Sequence, residues 1–226
     1  MPRYIEQLVS EQVHRSELAR REEIEKGEPC DNTVVTISRR MGSGARIVAQ
    51  KLATELGWSL WDKDLVDAIA EKAHVTQRVA KAFDEHTISD IELFARGMFG
   101  DHEMAGFIYP SHLARAVKSI AKLGSAIILG RGANFILPDA LGIRIDASDD
   151  VRIRNMMAYE NLTHDQAVAK LHASDRERRH FLERVYGKER VEHAVYDLTI
   201  WMDEFTTDGA VQIILAAVKA KCGKGA

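Results

Sequence analysis

The stretch VVTISRRMGSGARIVAQKLATELG, residues 34–57, constrains the fold more than any other part of the chain. A β-branched apolar run enters a turn carrying Gly42 and Gly44, and the turn enters a segment with apolar positions at helical spacing, Arg46–Leu56, that ends at Gly57. The alternation then continues. SLWD reads as a short second strand, and KDLVDAIAEKA as a helix with Leu65, Val66, Ile69 and Ala73 on one face. SAIILG and GIRIDA are further strands flanked by helices, and YDLTIW is the last. Strands separated by helices predict an α/β domain, built on a parallel sheet with both faces covered.

Composition narrows the class. The 226 residues are enough for one domain with a full core, and 46% hydrophobic with 29% charged residues excludes wholesale disorder. A net charge of −3 gives no global drive toward nucleic acid or an anionic membrane, so neither is expected as a partner. Any anion site must come from local arginine clusters. Cys30 and Cys222 stand near opposite ends, with no CxxC pair. They predict no disulfide framework and no zinc site, and a reduced, cytoplasmic setting. No apolar stretch is long enough for a signal peptide or a membrane span.

Two segments stand apart. Residues 1–30 carry Ile5, Leu8 and Val9 at helical spacing before an almost wholly charged run closed by Gly27 and Pro29. This reads as an N-terminal helical extension, which docks on the body or on a second copy of the chain, or is simply solvated. GMFGDHEMAGFIYPS, within 87–111, combines glycine, methionine and aromatics, and suits either a segment folding over a site or a loop with a few buried anchors. Farther on, Thr163 and Gln166 form a capping-box signature. His164, His172 and His180 recur at eight-residue intervals, but Ser174 suggests a helix break between them, and no metal site is expected.

The glycine turn can be weighed as chemistry. Gly42 and Gly44 before a helix supply both the bend and the positive helix end that a phosphate requires. If the pattern GxxxxGK[ST] is laid with its second glycine on Gly44, the first falls on Arg39, the lysine on Ala45 and the magnesium-binding hydroxyl on Arg46. The dinucleotide pattern GxGxxG fits Gly42 and Gly44 but meets Ile47 at the third position, although Asp62 lies near the expected distance. A turn that binds nothing is the third reading.

Taken with the rest of the chain, the motifs resemble one family. The loop, LWDKDLVDAIAE, AIILGRGANFILPDALGIRIDASDDVRIRNMM, SDRERRHFLERVYG and YDLTIW, in this order, are similar to the cytidylate-kinase-like branch of the P-loop nucleoside monophosphate kinases. The resemblance runs from about Thr33 to the C-terminus. That branch reads SRxxGSGGR at the loop, so the missing lysine belongs to it, and Ala45 replaces one glycine. Gly132 stands where a GRD motif has an acid, and Trp201 where an asparagine is usual.

The resemblance implies a three-layer P-loop NTPase-type domain over residues 31–226. It would carry a helical acceptor-binding insertion at 87–123 and an arginine-rich lid at 149–187. It implies ATP with Mg2+ held by water and phosphates, and a nucleotide acceptor. Ser38, Arg39, Gly42, Ser43, Gly44, Ala45 and Arg46 would cradle the ATP. Asp62, Lys63, Arg131 and Asn134 would hold the acceptor, and Arg46, Arg131, Arg152, Arg176 and Arg179 would neutralise the transferring group.

Each candidate has a plainer reading beside it. Arg46 either reaches back to the phosphates or is exposed on the first helical turn. Asp62 is a helix N-cap, an acceptor or magnesium contact, or both. Lys63 contacts phosphate or faces solvent. Asp175 could hold Arg179 across one turn, and the arginine run could be a salt-bridged face. The expected activity is phosphoryl transfer to a nucleoside monophosphate of the CMP/dCMP type or a related acceptor. The alternative is a nucleotide-binding regulatory protein of the same fold that does not turn over.

Overall fold

The computed structural model describes residues 2–25, 34–99 and 108–222. Five strands, β1 (Val34–Arg39), β2 (Ser59–Trp61), β3 (Ala126–Leu129), β4 (Leu141–Asp146) and β5 (Leu198–Trp201), form one parallel sheet in the order β2-β3-β1-β4-β5. Every pairing is parallel; Thr36 of β1, for example, lies between Ile128 of β3 and Gly142 of β4. The sheet carries α2 (Ala45–Leu56), α3 (Lys63–Glu71), α4 (Ala73–Ala80), α5 (Glu85–Phe99) and α6 (Ile108–Leu123) from its first half. From the second half come α7 (Ala133–Ile136), α8 (Asp149–Glu160), α9 (His164–Tyr186), α10 (Lys188–Glu192) and α11 (Thr207–Cys222), while α1 (Pro2–Glu25) precedes the sheet. This is the three-layer α/β architecture that the strand–helix alternation predicts.

Strand periodicity sorts the core into two layers. Val35 and Ile37 of β1, Ile127 and Leu129 of β3, and Leu141, Ile143 and Ile145 of β4 point to one face, where they pack against Val48 and Leu52 of α2 and Val211 and Ile214 of α11. Val34, Ala126 and Ile128 point to the other face, against Leu65, Val66 and Ile69 of α3 and Leu113, Val117 and Ile120 of α6. On β4 the alternate positions are Gly142, Arg144 and Asp146. That half of the second face is therefore polar, and it is where a ligand site can form without opening the core.

α1 lies on its own chain. Val9 is fully buried in the second layer with Ile5 and Leu8 packed beside it. The helix also seals the edge strand β2: Gln12 Oε1 accepts from the Leu60 amide (2.8 Å), and the Ser16 and Ser59 hydroxyls share a hydrogen bond of 2.7 Å. Glu23 Oε1 accepts from both Trp58 Nε1 and the Ser125 hydroxyl.

Three expectations need correction. α9 runs unbroken through Ser174, so His164, His172 and His180 lie on a single helix; among the described residues no group of His, Cys, Asp or Glu could hold a metal. The helix read as KDLVDAIAEKA stops at Glu71, because Lys72 takes an extended backbone, and α4 begins at Ala73. Cys222 is disulfide-bonded, which removes the support that the two distant cysteines gave to a reduced setting; Cys30 lies outside the described residues. The segment 100–107, central to GMFGDHEMAGFIYPS, lies outside them as well. The capping box is present as predicted, with the Thr163 hydroxyl and the Gln166 side chain each accepting from the other's amide. No described helix is long and apolar enough to cross a membrane.

Gln12→Ala should lower stability by about 1 kcal/mol, because it removes the acceptor of an edge-strand amide. Thermal unfolding should show a fall in Tm of about 2–4 °C. Gln7→Ala, whose amide reaches only the exposed Glu11, should leave the melt unchanged.

Candidate active site

The strand order reverses around β1, and the crevice at the carboxyl ends of β1, β3 and β4 is the place where such sheets bind ligands. The glycine turn lies there. Gly42 and Gly44 both have left-handed backbones, with φ of 78° and 79°. At Gly42 a Cβ would also stand 2.5 Å from the Arg152 carbonyl oxygen, so α8 presses directly on the turn.

Three successive turn carbonyls are taken. Arg40 O accepts from the Ser43 hydroxyl (2.9 Å), Met41 O from Arg152 Nε (2.7 Å) and Gly42 O from Asn155 Nδ2 (2.8 Å). With trans peptides, carbonyls held toward α8 turn the Gly42 and Ser43 amides the opposite way. The N–H groups of residues 42–46 find no acceptor among the described residues. With the positive end of α2 behind them, they form a ready anion cradle.

Arg152 is the fastener. Its side chain is fully buried; Nη1 bonds Asp149 (2.8 Å), and Nη2 bonds both Asp175 oxygens (2.7 Å each). Arg40 anchors the other limb of the turn through Asp146 (2.6 Å) and the Ala147 carbonyl (3.0 Å). Asp146 also accepts from Arg144 (2.7 Å).

Beside the turn lies a cavity of about 390 Å³, lined by Arg39, Lys63, Arg131, Arg144 and Arg178 with one carboxylate, Glu177. Arg144 is paired with Asp146 and Arg131 with Asp67. Arg39 and Lys63 form no ion pair among the described residues, and Arg178 donates only to the Arg39 carbonyl (2.8 Å). Burial, then the neighbouring Arg178, depresses Arg39 to about 10. Burial likewise lowers Arg178, with Arg152 adding to it and Asp175 opposing. These are cations placed at a cost in a confined space.

Arg131 sits at the cavity's far wall. Its Nη2 donates to Asp67 (2.8 Å), and its guanidinium lies 4.4 Å from the Phe181 ring centre. Tyr109 donates to the other Asp67 oxygen (2.7 Å). Burial pushes the Asp67 carboxyl up to about 6, against the hydrogen bond from Tyr109.

The remaining expected residues fall as follows. Asp62 is the N-cap of α3, accepting from the Asp64 and Leu65 amides, and it also pairs with Arg46 (3.2 Å), whose side chain is 67% exposed. Lys63 lines the cationic cavity rather than facing only solvent. Ser38 lines it too, and its hydroxyl donates to Asn134 Oδ1 (3.2 Å). Asn134 itself faces a separate, larger cavity of about 510 Å³ beside α10, which gathers no comparable set of cations. Asp175 pairs with Arg152, not with Arg179. Arg179 is exposed and bonds Glu183 (2.7 Å), and Arg176 is exposed as well. Of the SDRERRHF arginines, Arg178 is the one that reaches the cavity.

The model of the cytidylate kinase-like family matches residues 34–204. The chain belongs to the cytidylate kinase-like family. Two relatives, the cytidylate kinases of Pyrococcus horikoshii and Pyrococcus furiosus, are each 24% identical to it. The first match covers 84% of this chain and 90% of the relative, and the second 82% and 88%. A crystal structure of an uncharacterized protein from Eubacterium ventriosum shares the fold, with a TM-score of 0.62 at 22% identity over 84% of this chain and 99% of that one.

Against the motifs of the cytidylate kinase-like family, the two substitutions near the site have visible reasons. Ala45 opens α2 with its methyl group buried, so a side chain is accommodated there. Gly132 has a φ of 64°, and a Cβ on it would lie 2.3 Å from Tyr186 Cε2; the space for an acid is filled by an aromatic ring. Asp67, Tyr109, Arg178, Phe181 and Tyr186 were not singled out as site residues. A helical face through Leu171, Ser174, Arg178, Phe181 and Val185 would have selected Arg178.

Gly42→Ala should destabilise the protein by about 1–3 kcal/mol, since it meets both a left-handed backbone and the Arg152 carbonyl. Equilibrium denaturation and tripolyphosphate titration should show the stability loss together with loss of phosphate affinity. Gly57→Ala, at a φ of 69° with open space around its Cβ, should cost stability and leave that affinity intact.

Proposed function

We propose that this chain transfers the γ-phosphoryl group of ATP to a nucleoside monophosphate of the CMP/dCMP type or to a related small anionic acceptor. The observation that carries this reading is a cavity lined by half-buried Arg39 and Arg178 and exposed Lys63, none of them ion-paired among the described residues, next to a turn whose amides are unengaged there. Like charges in a confined cavity oppose one another until a polyanion enters. Phosphoryl transfer has the matching demand, because its catalysis is positioning and charge neutralisation.

In this reading the amides of residues 42–46 hold the donor phosphates. Arg39 and Arg178 flank the transferring group, and Lys63 and Arg131 meet the acceptor. Asp67 orients Arg131. Magnesium would come with ATP, held by water and phosphate oxygens, and would supply screening of the charge that develops on the ADP leaving group. Membership of the cytidylate kinase-like family and the three similar cytidylate kinases, the third from Methanothrix thermoacetophila, support kinase chemistry.

A second reading, nucleotide binding without turnover, is favoured by one contact. Arg46, one residue past the loop's lysine slot, is drawn off to Asp62, so no side-chain cation stands in that slot. Turnover decides between the two.

Thermal shift with ATP and CMP, with and without magnesium, comes first. A ligand at ~100 times its Kd adds about 2.7 kcal/mol of stability. ATP loss that requires both CMP and magnesium is expected; stabilisation by ATP with no loss across monophosphates would select the second reading. Arg178→Ala should lower kcat/KM about 10²-fold. Arg176→Ala, an exposed neighbour, should stay within about twofold.

The pH dependence follows from Asp67. Its charge, and so its ion pair with Arg131, is present above about 6 and is lost as pH falls through that value. Acceptor KM should therefore rise below pH ~6, with donor KM steady, and Asp67→Asn should flatten the profile. Stability moves the other way. A carboxyl raised from 3.8 to about 6 binds more protons folded than unfolded, so its contribution falls as pH rises through that window.

A further inference from the structure

We propose that Tyr186 is a positioning residue for the acceptor: it acts on the guanidinium of Arg131 through the main chain of the turn that presents it. The inference rests on the kinase reading for the meaning of Arg131, but the geometry behind it stands independently.

β3 ends in a turn, Gly130–Arg131–Gly132, whose three residues all have positive φ, at 91°, 56° and 64°. The glycines adopt this freely, whereas Arg131 is strained and must be held there by its surroundings. The two ends of the turn are fixed by backbone hydrogen bonds from Gly130 to Ile37 O (2.9 Å) and from Phe135 to Gly132 O (2.9 Å). The strained residue itself is held at its carbonyl, which accepts from the Tyr186 hydroxyl at 2.6 Å.

Tyr186 is well placed for this. It is 5% exposed, its ring stacks on Phe135 at 4.8 Å, and Phe99 lies 6.4 Å away. Its ring edge occupies the space next to Gly132 where any side chain would begin. It belongs to the last turn of α9, the helix that also carries Phe181 over the Arg131 guanidinium and Arg178 into the cavity. Arg131 Nε is buried with no hydrogen-bond partner among the described residues, so the polar hold on the side chain is at Nη2 alone, and where that tip lies depends on the backbone that carries it. Asp67 thus holds the guanidinium at its tip, and the Tyr186 hydroxyl holds the carbonyl of the backbone from which the side chain starts. No side chain at 132 can reach the acceptor, which must be read by Arg131 and its cationic neighbours.

Tyr186→Phe keeps the ring and its stacking and removes only the hydroxyl. With CMP as acceptor and ATP as donor, CMP KM should rise about tenfold while ATP KM stays within about twofold. A crystal structure of the variant should show Arg131 leaving its positive φ and its contact with Asp67. A purely structural role would shift Tm and both KM values together. Unchanged CMP KM, or equal shifts in both, with Arg131 unmoved in the crystal, would overturn the proposal; if Arg131→Lys still raised CMP KM, the kinase reading would survive. If the wild-type chain turns over no CMP, the nucleotide-acceptor reading fails, and the crystal alone decides: an unmoved Arg131 overturns the positioning role as well.

Discussion

The site depends on one buried charge. Arg152 is fully enclosed, and a lone guanidinium there would cost far more than the fold could sustain. It is tolerable because its three nitrogens are bound by the Met41 carbonyl, Asp149 and Asp175, which lie on three different segments. Satisfying that charge ties the glycine turn to α8 and α8 to α9. The arrangement is propped from farther away as well. α8 begins at Ser148, whose hydroxyl caps Val151, while Asp203 accepts from both the Ser148 amide and its hydroxyl. The turn after β5 thus fixes the start of the helix that holds the glycine turn in place.

The same sheet that builds the core also leaves room for the chemistry. Along β4 the sequence LGIRID alternates Leu141, Ile143 and Ile145 into one apolar layer with Gly142, Arg144 and Asp146 on the opposite face. Asp146, almost fully buried, accepts from Arg40, Arg144 and the Ala147 amide, which holds the arginines at fixed spacing beside the turn. A chain with a net charge of −3 can therefore carry a cation-lined cavity, because the local field is set by where its carboxylates lie.

Much of this was legible from residues alone, and the rest was hidden for definable reasons. The five strands show in the sequence because β-branched alternation is a local property, as in VVTIS and AIIL. Asp62 as an N-cap and Thr163 with Gln166 as a capping box are local too, and both are present. The supposed break at Ser174 failed because a serine on the buried side of a long helix is carried by the packing of Leu171 before it and Val185 after it. The pairing of Asp175 with Arg179 is the near option on a helix. It lost to Arg152, 23 residues away, because a buried guanidinium needs a carboxylate more than an exposed one does. Asp67, Tyr109 and Tyr186 meet Arg131 only in three dimensions, and no spacing rule joins residues so far apart in the chain.

The missing loop lysine also acquires a physical reading. What such a lysine supplies is one positive charge against phosphate oxygens; in the proposed reading Arg39 and Arg178, which line the cavity from the end of β1 and from α9, bring that charge. Arginine suits this crowded position better. Burial and a neighbouring cation bring Arg39 down to about 10, and it stays charged at neutral pH. A lysine, ordinarily about two units easier to deprotonate than arginine, would be pushed nearer to losing its proton by the same burial. At the half-buried positions of this cavity the cations are guanidinium groups, while its one ammonium group, Lys63, is exposed. On that view the lysine-free loop and the arginine-rich α9 form one solution to the same electrostatic problem.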